Sequence, residues 1–333
     1  GSTGTETNGF QILNGNTVVL KNGTLNVAET AKADFYILVQ NYANLTVDGM
    51  KLDGTNLDKY SGTDGDSYAL SNNSGTVEIK GATEIIANDQ GDKAFAFDVC
   101  KYANYAVPVV NVTGAEVKVN GAIEVHQDIP NNLNISAGTF TTEIEEAWCA
   151  AGYIPTTTVI DGVTYYTVKA GKYVARIGEI GYETLADAIA AIGAGDVVIE
   201  LLDNASLDIT AWQTLAIGGD NTISITIDGD NGGEEDFTLT FNKLNSDWNH
   251  VATSNDNATK LILKNLKLAD SGYNNGPWNR YDIVFASDVE LTNVVSAKAL
   301  AFKADATLNN VTINESGDNY AIWIQPNGQS VTI

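Results

Sequence analysis

The sequence predicts a mostly β protein: two tandem right-handed parallel β-helices, or solenoids, with short capping helices and a β-hairpin between them. Three observations lead to that fold. One short pattern, an apolar alternation broken by a turn pair rich in Asn, Asp, Gly or Thr, recurs eight times along the chain. The breaking residue sits between two short strands, where tolerance of the left-handed region bends the chain without reversing it. A helical period is clear in only one place, past the middle of the chain, at 184–192.

In the first half the copies read LTVDGMKL from Leu45, VEIKGATEI from Val77, VNVTGAEVKV from Val110 and LNISAGTF from Leu133. In the second half they read ITIDGD from Ile225, LILKNLKL from Leu261, VELTNVVS from Val289 and ATLNNVTI from Ala306. Their spacing varies from roughly 17 to 37 residues within each half, as expected when each turn of a solenoid carries a loop of its own length. A pair of antiparallel sandwiches would need hairpin signals between most strands, and the copies do not carry them. Stacked coils bury ladders of Val, Ile and Leu, share stability with their neighbours and need covered ends.

Covers for those ends can be read directly. After the last copy of the first half, TTEIEEAWCAAGY places Ile144, Ala147, Trp148 and Ala151 at helical spacing with Gly152 as a stop, which predicts a short helix. VIDGVTYYTV then sets Asp161 and Gly162 between two β runs, the strongest hairpin signal in the chain. Residues 169–172 link onward. Thr184 followed three residues later by Asp187 is a capping-box-like start, with Asp standing in for Glu or Gln. Leu185, Ala188, Ile189 and Ile192 fall at i, i+3, i+4 and i+7, and Gly193 and Gly195 stop the helix.

The expected domains are 1–171, a first β-helix closed by helix and hairpin, and 172–333, a second β-helix opened by the 184–192 helix and truncated at its C-terminal end. NTVVLKNGTLNV from Asn16 resembles DVVIELLDNASLDI from Asp196, yet no helix precedes the first of them, and the chain stops on an apolar alternation. Both ends predict a piece of a longer protein.

A chain of 333 residues with 44% hydrophobic content can bury two cores. Its 42 Asp and Glu against 18 Lys and Arg leave a formal charge of −24, which repels nucleic acid and anionic membrane surfaces. Arg176 and Arg280 are the only arginines, so no cluster grips polyanions bidentately. No apolar run approaches the roughly 18 residues of a bilayer span, so no membrane insertion is expected within this stretch. Cys100 and Cys149 lack metal-ligand spacing; they either pair or stay as buried thiols.

Three passages carry a resemblance: NLNISAGTFTTEIEEAWCAAGY, VIDGVTYYTV and VARIGEIGYETLADAIAAIGAGDVVIELLDN. They resemble the end motif, the following hairpin and the lead-in to the next domain in a family of long, multidomain surface or adhesin-like proteins of gut bacteria. Those proteins are built from tandem right-handed β-helices of the pectate-lyase-like fold. Together the passages cover about a quarter of the chain. The resemblance implies a secreted or cell-surface protein, adhesive or scaffolding, with its signal peptide and anchor outside this stretch.

Pectate lyases and polygalacturonases share that fold, but a fold does not carry its function. A lyase acting on uronic acids needs a strong base beside calcium-binding acids, and an inverting hydrolase needs carboxylates about 6.5 to 9.5 Å apart. Neither set is visible. Arg176 lies in the connector, Arg280 stands alone in a loop, and no Asp-Asp pair or Gly-His-Gly motif occurs. His126 and His250 belong to different halves, so no catalytic residue is assigned.

The candidate ligand site is a pair of loops, FNKLNSDWNHVATSND and DSGYNNGPWNRYD, which leave successive coils on one side. They group Trp248, His250, Tyr273, Trp278, Arg280 and Tyr281 as candidate glycan contacts. Aromatic rings stack on apolar sugar faces, and Asn and Arg donate to hydroxyls. The alternative is that the tryptophans fold back and pack on the coils. For calcium, Asp228 and Asp230 in DGDNGGEED alternate as in an EF-hand, but Gly232 takes the next ligand position and Leu239 replaces the final Glu. Asp64 and Asp66 match no better, and solvated turn acids are the plain reading of both pairs.

These readings converge on a monomeric, non-catalytic secreted or cell-surface module, an adhesin or scaffold whose partner is a polysaccharide or host glycoprotein. Two alternatives stay open: a carbohydrate-active enzyme, lyase or hydrolase, on a β-helix, and a purely structural spacer.

Overall fold

A computed structural model describes residues 8–30, 35–58, 66–88, 93–209, 214–219, 221–233, 235–243, 250–253, 259–272, 283–314, 320–324 and 328–333. The protein is mostly β, with several parallel sheets. It divides into two compact units, Gly1–Lys172 and Tyr173–Ile333. No helix among the described residues is long and apolar enough to cross a membrane.

In the first unit Asn8–Ile12, Ile37–Asn41, Ser67–Asn72, Ala94–Val99 and Ala122–Val125 lie side by side in one parallel sheet. A larger sheet holds the repeated alternations. Thr17–Asn26 and Asn44–Asp53 pair in parallel on both sides of a bend, Lys21 opposite Asp48 before it and Gly23 opposite Met50 after it. Before the bend Asn44–Asp53 pairs with Thr76–Lys80, and after it with Glu84–Ile86. Alternation sends every second side chain inward, so Val47, Ile79, Val112 and Ile135 form one column, each 0% exposed. Burying each such side chain contributes about 1.5–3 kcal/mol.

The second unit repeats the scheme. Gly195–Leu201, Thr222–Asp228, Lys260–Gly272, Val289–Ser296 and Ala306–Ile313 follow one another in parallel. Ile199, Ile227, Leu263, Leu291 and Leu308 make the matching buried column. Thr214–Ile217, His250–Thr253, Ile283–Phe285, Leu300–Phe302 and Ile322–Ile324 form a second parallel sheet. Phe285 and Phe302, both buried, stack across it with centroids 5.8 Å apart.

The hairpin stands where the sequence puts it. Tyr153–Ile160 and Val163–Ala170 pair antiparallel through Asp161 and Gly162, whose φ values of 52° and 79° suit a two-residue hairpin turn. Phe140 pairs with Tyr166, and Thr167 Oγ1 donates to the Gly138 carbonyl at 2.6 Å, so the hairpin lies along the last parallel strand of the first unit.

The two helices fare differently. The expected 184–192 helix is present as Leu185–Ala190, with Leu185 and Ala188 buried. Thr184 Oγ1 accepts the Asp187 N–H at 3.1 Å and donates to the Asp187 carboxylate at 2.6 Å. The helix spacing at 143–151 does not become a helix. Only Glu146–Trp148 makes a single tight turn, and Ile144 and Trp148 alone turn inward. The backbone there pairs instead: Cys149 bridges Ile135 in parallel, and the Ala150 N–H donates to the Ile135 carbonyl at 2.9 Å. Pairing with an open strand satisfies the same polar groups that a helix would, and Ala147 and Ala151 stay exposed.

A second, unforeseen hairpin opens the second unit. Ala175–Ile177 and Ile180–Tyr182 pair antiparallel, and Ala175 lies opposite Leu201. Cys100 and Cys149 are separate free thiols. Burial pushes them up to about 12 and about 11, so both stay protonated and unreactive at neutral pH.

Candidate functional site

In the second unit the chain crosses from the larger sheet to the smaller one between Lys243 and His250, between Gly272 and Ile283, and between Ser296 and Leu300. The first two crossings are the loops expected to meet a glycan. Trp248, Tyr273, Trp278, Arg280 and Tyr281 lie outside the described residues. His250 is described, and it opens the strand His250–Thr253 rather than projecting from a loop. It is 7% exposed, because the strand begins at once and each of its four residues is buried.

Alternation explains which side chains gather at this corner. In Thr238–Lys243 the buried Leu239 and Phe241 set the inward side, and Lys243 continues it, its side chain 3% exposed. Asp270, opposite Phe241 on the neighbouring strand, meets the Lys243 ammonium at 3.2 Å. The short crossing after Ser296 brings Lys298 to the other carboxylate oxygen at 3.6 Å. One carboxylate thus serves two ammonium groups.

On the smaller sheet Val251, Phe285 and Phe302 share the core column, so His250 and Lys303 fall on the other face. Lys303 follows Phe302, tied by its N–H to the Phe285 carbonyl at 2.9 Å. Its ammonium reaches back to lie 3.2 Å from both ring nitrogens of His250. Burial, then Lys303 and Lys243, pull the imidazole down to about 4. Burial also lowers Lys303. At neutral pH a neutral imidazole therefore lies against the Lys303 ammonium, with the Lys243 and Lys298 ammonium groups beside the Asp270 carboxylate.

Lys243, Asp270, Lys298 and Lys303 carry no local signature in the sequence. They lie up to sixty residues apart, and only the parallel pairing of distant strands gathers them.

The other candidates take structural partners. Asp228 is held by Lys264 at 2.7 Å and accepts from Asn265 Nδ2 at 2.8 Å. Asp230 Oδ1 accepts the Gly232 N–H at 2.9 Å, closing a local turn. Among the described residues no group of three or more His, Cys, Asp or Glu is placed to hold a metal ion. Asp66 lies 3.8 Å from Lys93, Asp64 is outside the described residues, and His126 Nδ1 accepts the Asp128 N–H at 3.2 Å.

No protein-family model, curated protein or solved structure matches the chain. The corner is read from its own chemistry alone.

Proposed function

We propose that this chain is a non-catalytic module of a secreted or cell-surface protein. It consists of two tandem right-handed parallel β-helices of the pectate-lyase-like kind, serving as a stalk or adhesive unit towards glycan or host matrix. The observation that carries this reading is the in-register return of the chain. Ile227, Leu263, Leu291 and Leu308 occupy one column although 36, 28 and 17 residues separate them in turn, the difference being taken up by connections between strands. A stack of this kind supplies a stiff scaffold and puts length variation into the connections between strands, where ligand contacts are tuned at little cost to the core. The aromatic residues Trp248, Tyr273, Trp278 and Tyr281, with Arg280, flank the His250 and Lys303 corner in sequence and are its glycan-contact candidates.

A glycan array tests the reading. Trp248→Ala and Trp278→Ala are expected to lose signals that the parent chain gives. If both variants keep every signal, these loops are not the contact, and a parent chain with no signal at all favours a plain spacer. A carbohydrate-active enzyme is the second reading, favoured by the neutral His250 beside the Lys303 ammonium, an acceptor and a donor in contact. A screen on acidic and neutral polysaccharides, repeated with His250→Gln, decides it: turnover that the substitution abolishes replaces the adhesive reading with the enzymatic one.

A further inference from the structure

The first unit holds an aromatic cluster that the loop candidates of the second unit do not involve. Tyr42 follows the strand Ile37–Asn41, and Tyr102 and Tyr105 belong to the 100–108 connection after Ala94–Val99. Coil stacking brings the three rings together. Tyr42 and Tyr105 centroids are 4.8 Å apart, Tyr42 and Tyr102 6.1 Å, and Tyr102 and Tyr105 6.3 Å with only 25° between their planes.

Exposure separates their roles. Tyr42 is 8% exposed and forms the floor, whereas Tyr102 and Tyr105 keep 49% and 41% of their surface in solvent. A connection folded back merely to cover the core would bury these rings. This one holds them up instead, and it is fixed at both ends. The Cys100 N–H donates to the Asn72 carbonyl at 2.9 Å, and Asn132 Nδ2 donates to the Pro108 carbonyl at 2.8 Å. Within it the Tyr105 N–H closes a turn onto the Tyr102 carbonyl at 3.2 Å. The two upper rings are therefore set in place before any ligand arrives, which removes much of the ordering cost of binding.

Charge narrows the ligand. Lys101, the cation beside the shelf, is paired with Asp128 at 2.9 Å. The chain as a whole carries −24, so an acidic ligand is repelled. Burial pushes the Tyr42 hydroxyl up to about 12, which keeps it a neutral donor. The geometry points to a neutral-glycan site: the nearly parallel faces of Tyr102 and Tyr105 stack on the apolar faces of uncharged pyranose rings, with Tyr42 as their support. This deepens the glycan reading of the proposed function and rests on it, while assigning the contact to the first unit.

The test uses the whole chain with cellohexaose, mannohexaose and a neutral galacto-oligosaccharide, a heparin hexasaccharide as the anionic control and decaproline as the peptide control. Binding is read by calorimetry and by saturation-transfer NMR. At least one neutral oligosaccharide is expected to bind saturably. The paired substitution Tyr102→Ala with Tyr105→Ala is expected to weaken that binding about tenfold or more, and Tyr102→Phe with Tyr105→Phe to stay within about threefold, because phenylalanine keeps the face. Tyr102→Ala alone, at the most exposed ring, serves if the pair disturbs the fold. Neutral binding untouched by the alanine substitutions overturns the shelf and leaves the glycan reading standing. Absence of binding to every glycan overturns both. Preference for heparin or decaproline overturns the neutral-glycan assignment.

Discussion

Both units bend the chain beside the buried column through residues in the left-handed region, but with different residues. In the first unit they are Asn22, Gly49 and Gly81, with φ of 52°, 64° and 62°. In the second they are Asn265, Asn293 and Asn310, with φ of 52°, 55° and 54°. The glycine corner is tight: a Cβ on Gly81 would sit 2.5 Å from Asp48 Oδ1 and 3.0 Å from the Gly49 nitrogen. The asparagine corner has room for side chains and uses them. Asn265 Nδ2 donates to Asp228 Oδ1 at 2.8 Å, Asn293 Nδ2 to Asn265 Oδ1 at 3.0 Å, and Asn310 Nδ2 to Asn293 Oδ1 at 2.9 Å. An amide both donates and accepts, so the ladder passes one bond from strand to strand. The same backbone conformation is thus reached by removing the side chain or by choosing one that is satisfied by its own repeat.

The largest effect belongs to the tight corner. Gly114, after the strand Val109–Val112 that pairs with Thr76–Lys80, would place a Cβ 2.7 Å from the Gly81 nitrogen and 2.8 Å from its carbonyl oxygen. Those are backbone atoms and cannot swing aside. Gly114→Ala is expected to cost about 3 kcal/mol in urea unfolding, since overpacking against backbone forces neighbouring strands apart. A loss below about 1 kcal/mol would show that the first unit is looser than its contacts imply.

The units also differ in their buried titratable groups. Asp98 in the first unit is 4% exposed; it accepts from Ser71 Oγ at 3.0 Å and from the Asn72 N–H, yet burial pushes it up to about 8. A raised acid keeps its proton when folded, so its contribution is full below the unfolded value near 3.9 and is lost as pH rises through about 8. His250 is the opposite case: its folded value is depressed to about 4, so its contribution is full above the ordinary 6.5 and is lost as pH falls towards 4. Raising the pH from about 4.5 to 7 is expected to weaken the first unit by about 3 kcal/mol and to strengthen the second by about 2 kcal/mol. Calorimetry of Asp98→Asn and His250→Gln checks this; a variant with the parent's pH slope removes its group from the account.

The repeats were legible because each copy shows both an alternation and a break. LILKNLKL contains the alternating Leu261 and Leu263, then Asn265, then Leu266 and Leu268, and all four leucines are buried. The smaller sheets were not legible. ILVQN, SYALSN and AFAFDV are short runs buried on both faces, and without a polar face they have no period to detect. Ile144 and Trp148 gave a helix spacing because two inward residues four apart fit a helix as well as a tight turn. The corner lysines and the tyrosine shelf were hidden for a different reason. Tyr42 and Tyr105 are 63 residues apart in sequence and 4.8 Å apart in space, a proximity set by stacking rather than by any local pattern.

The asparagine ladder sets the next effect. Asn293 both donates to Asn265 and accepts from Asn310, so Asn293→Ala breaks two bonds and leaves alanine in the left-handed region. A loss of about 2 kcal/mol is expected, and Asn293→Gly, which removes the bonds but not the backbone tolerance, is expected to cost about 1 kcal/mol. Equal losses would mean that the backbone conformation adds nothing and the bonds carry the whole effect, whereas an Asn293→Gly loss near zero would mean that the ladder contributes nothing.

Moving the ladder into the first unit gives the smallest and most discriminating effect. At Gly49 the nearest atom to an added Cβ is Asn22 Oδ1 at 2.8 Å, and no other atom outside that amide lies within 4 Å. An exposed side-chain amide can turn away or, better, pair with a new one, so Gly49→Asn starts the same ladder between the paired strands Thr17–Asn26 and Asn44–Asp53. Asparagine tolerates this φ, and one neutral amide bond offsets the small conformational cost, leaving a change within about 0.5 kcal/mol. Gly81→Asn faces the Gly49 backbone nitrogen as well and is expected to cost about 2 kcal/mol. Parallel urea titrations of the two variants separate the causes. If both are tolerated, glycine at this corner is not required by close approach; if Gly49→Asn is as costly as Gly81→Asn, the corner excludes side chains at both glycine positions.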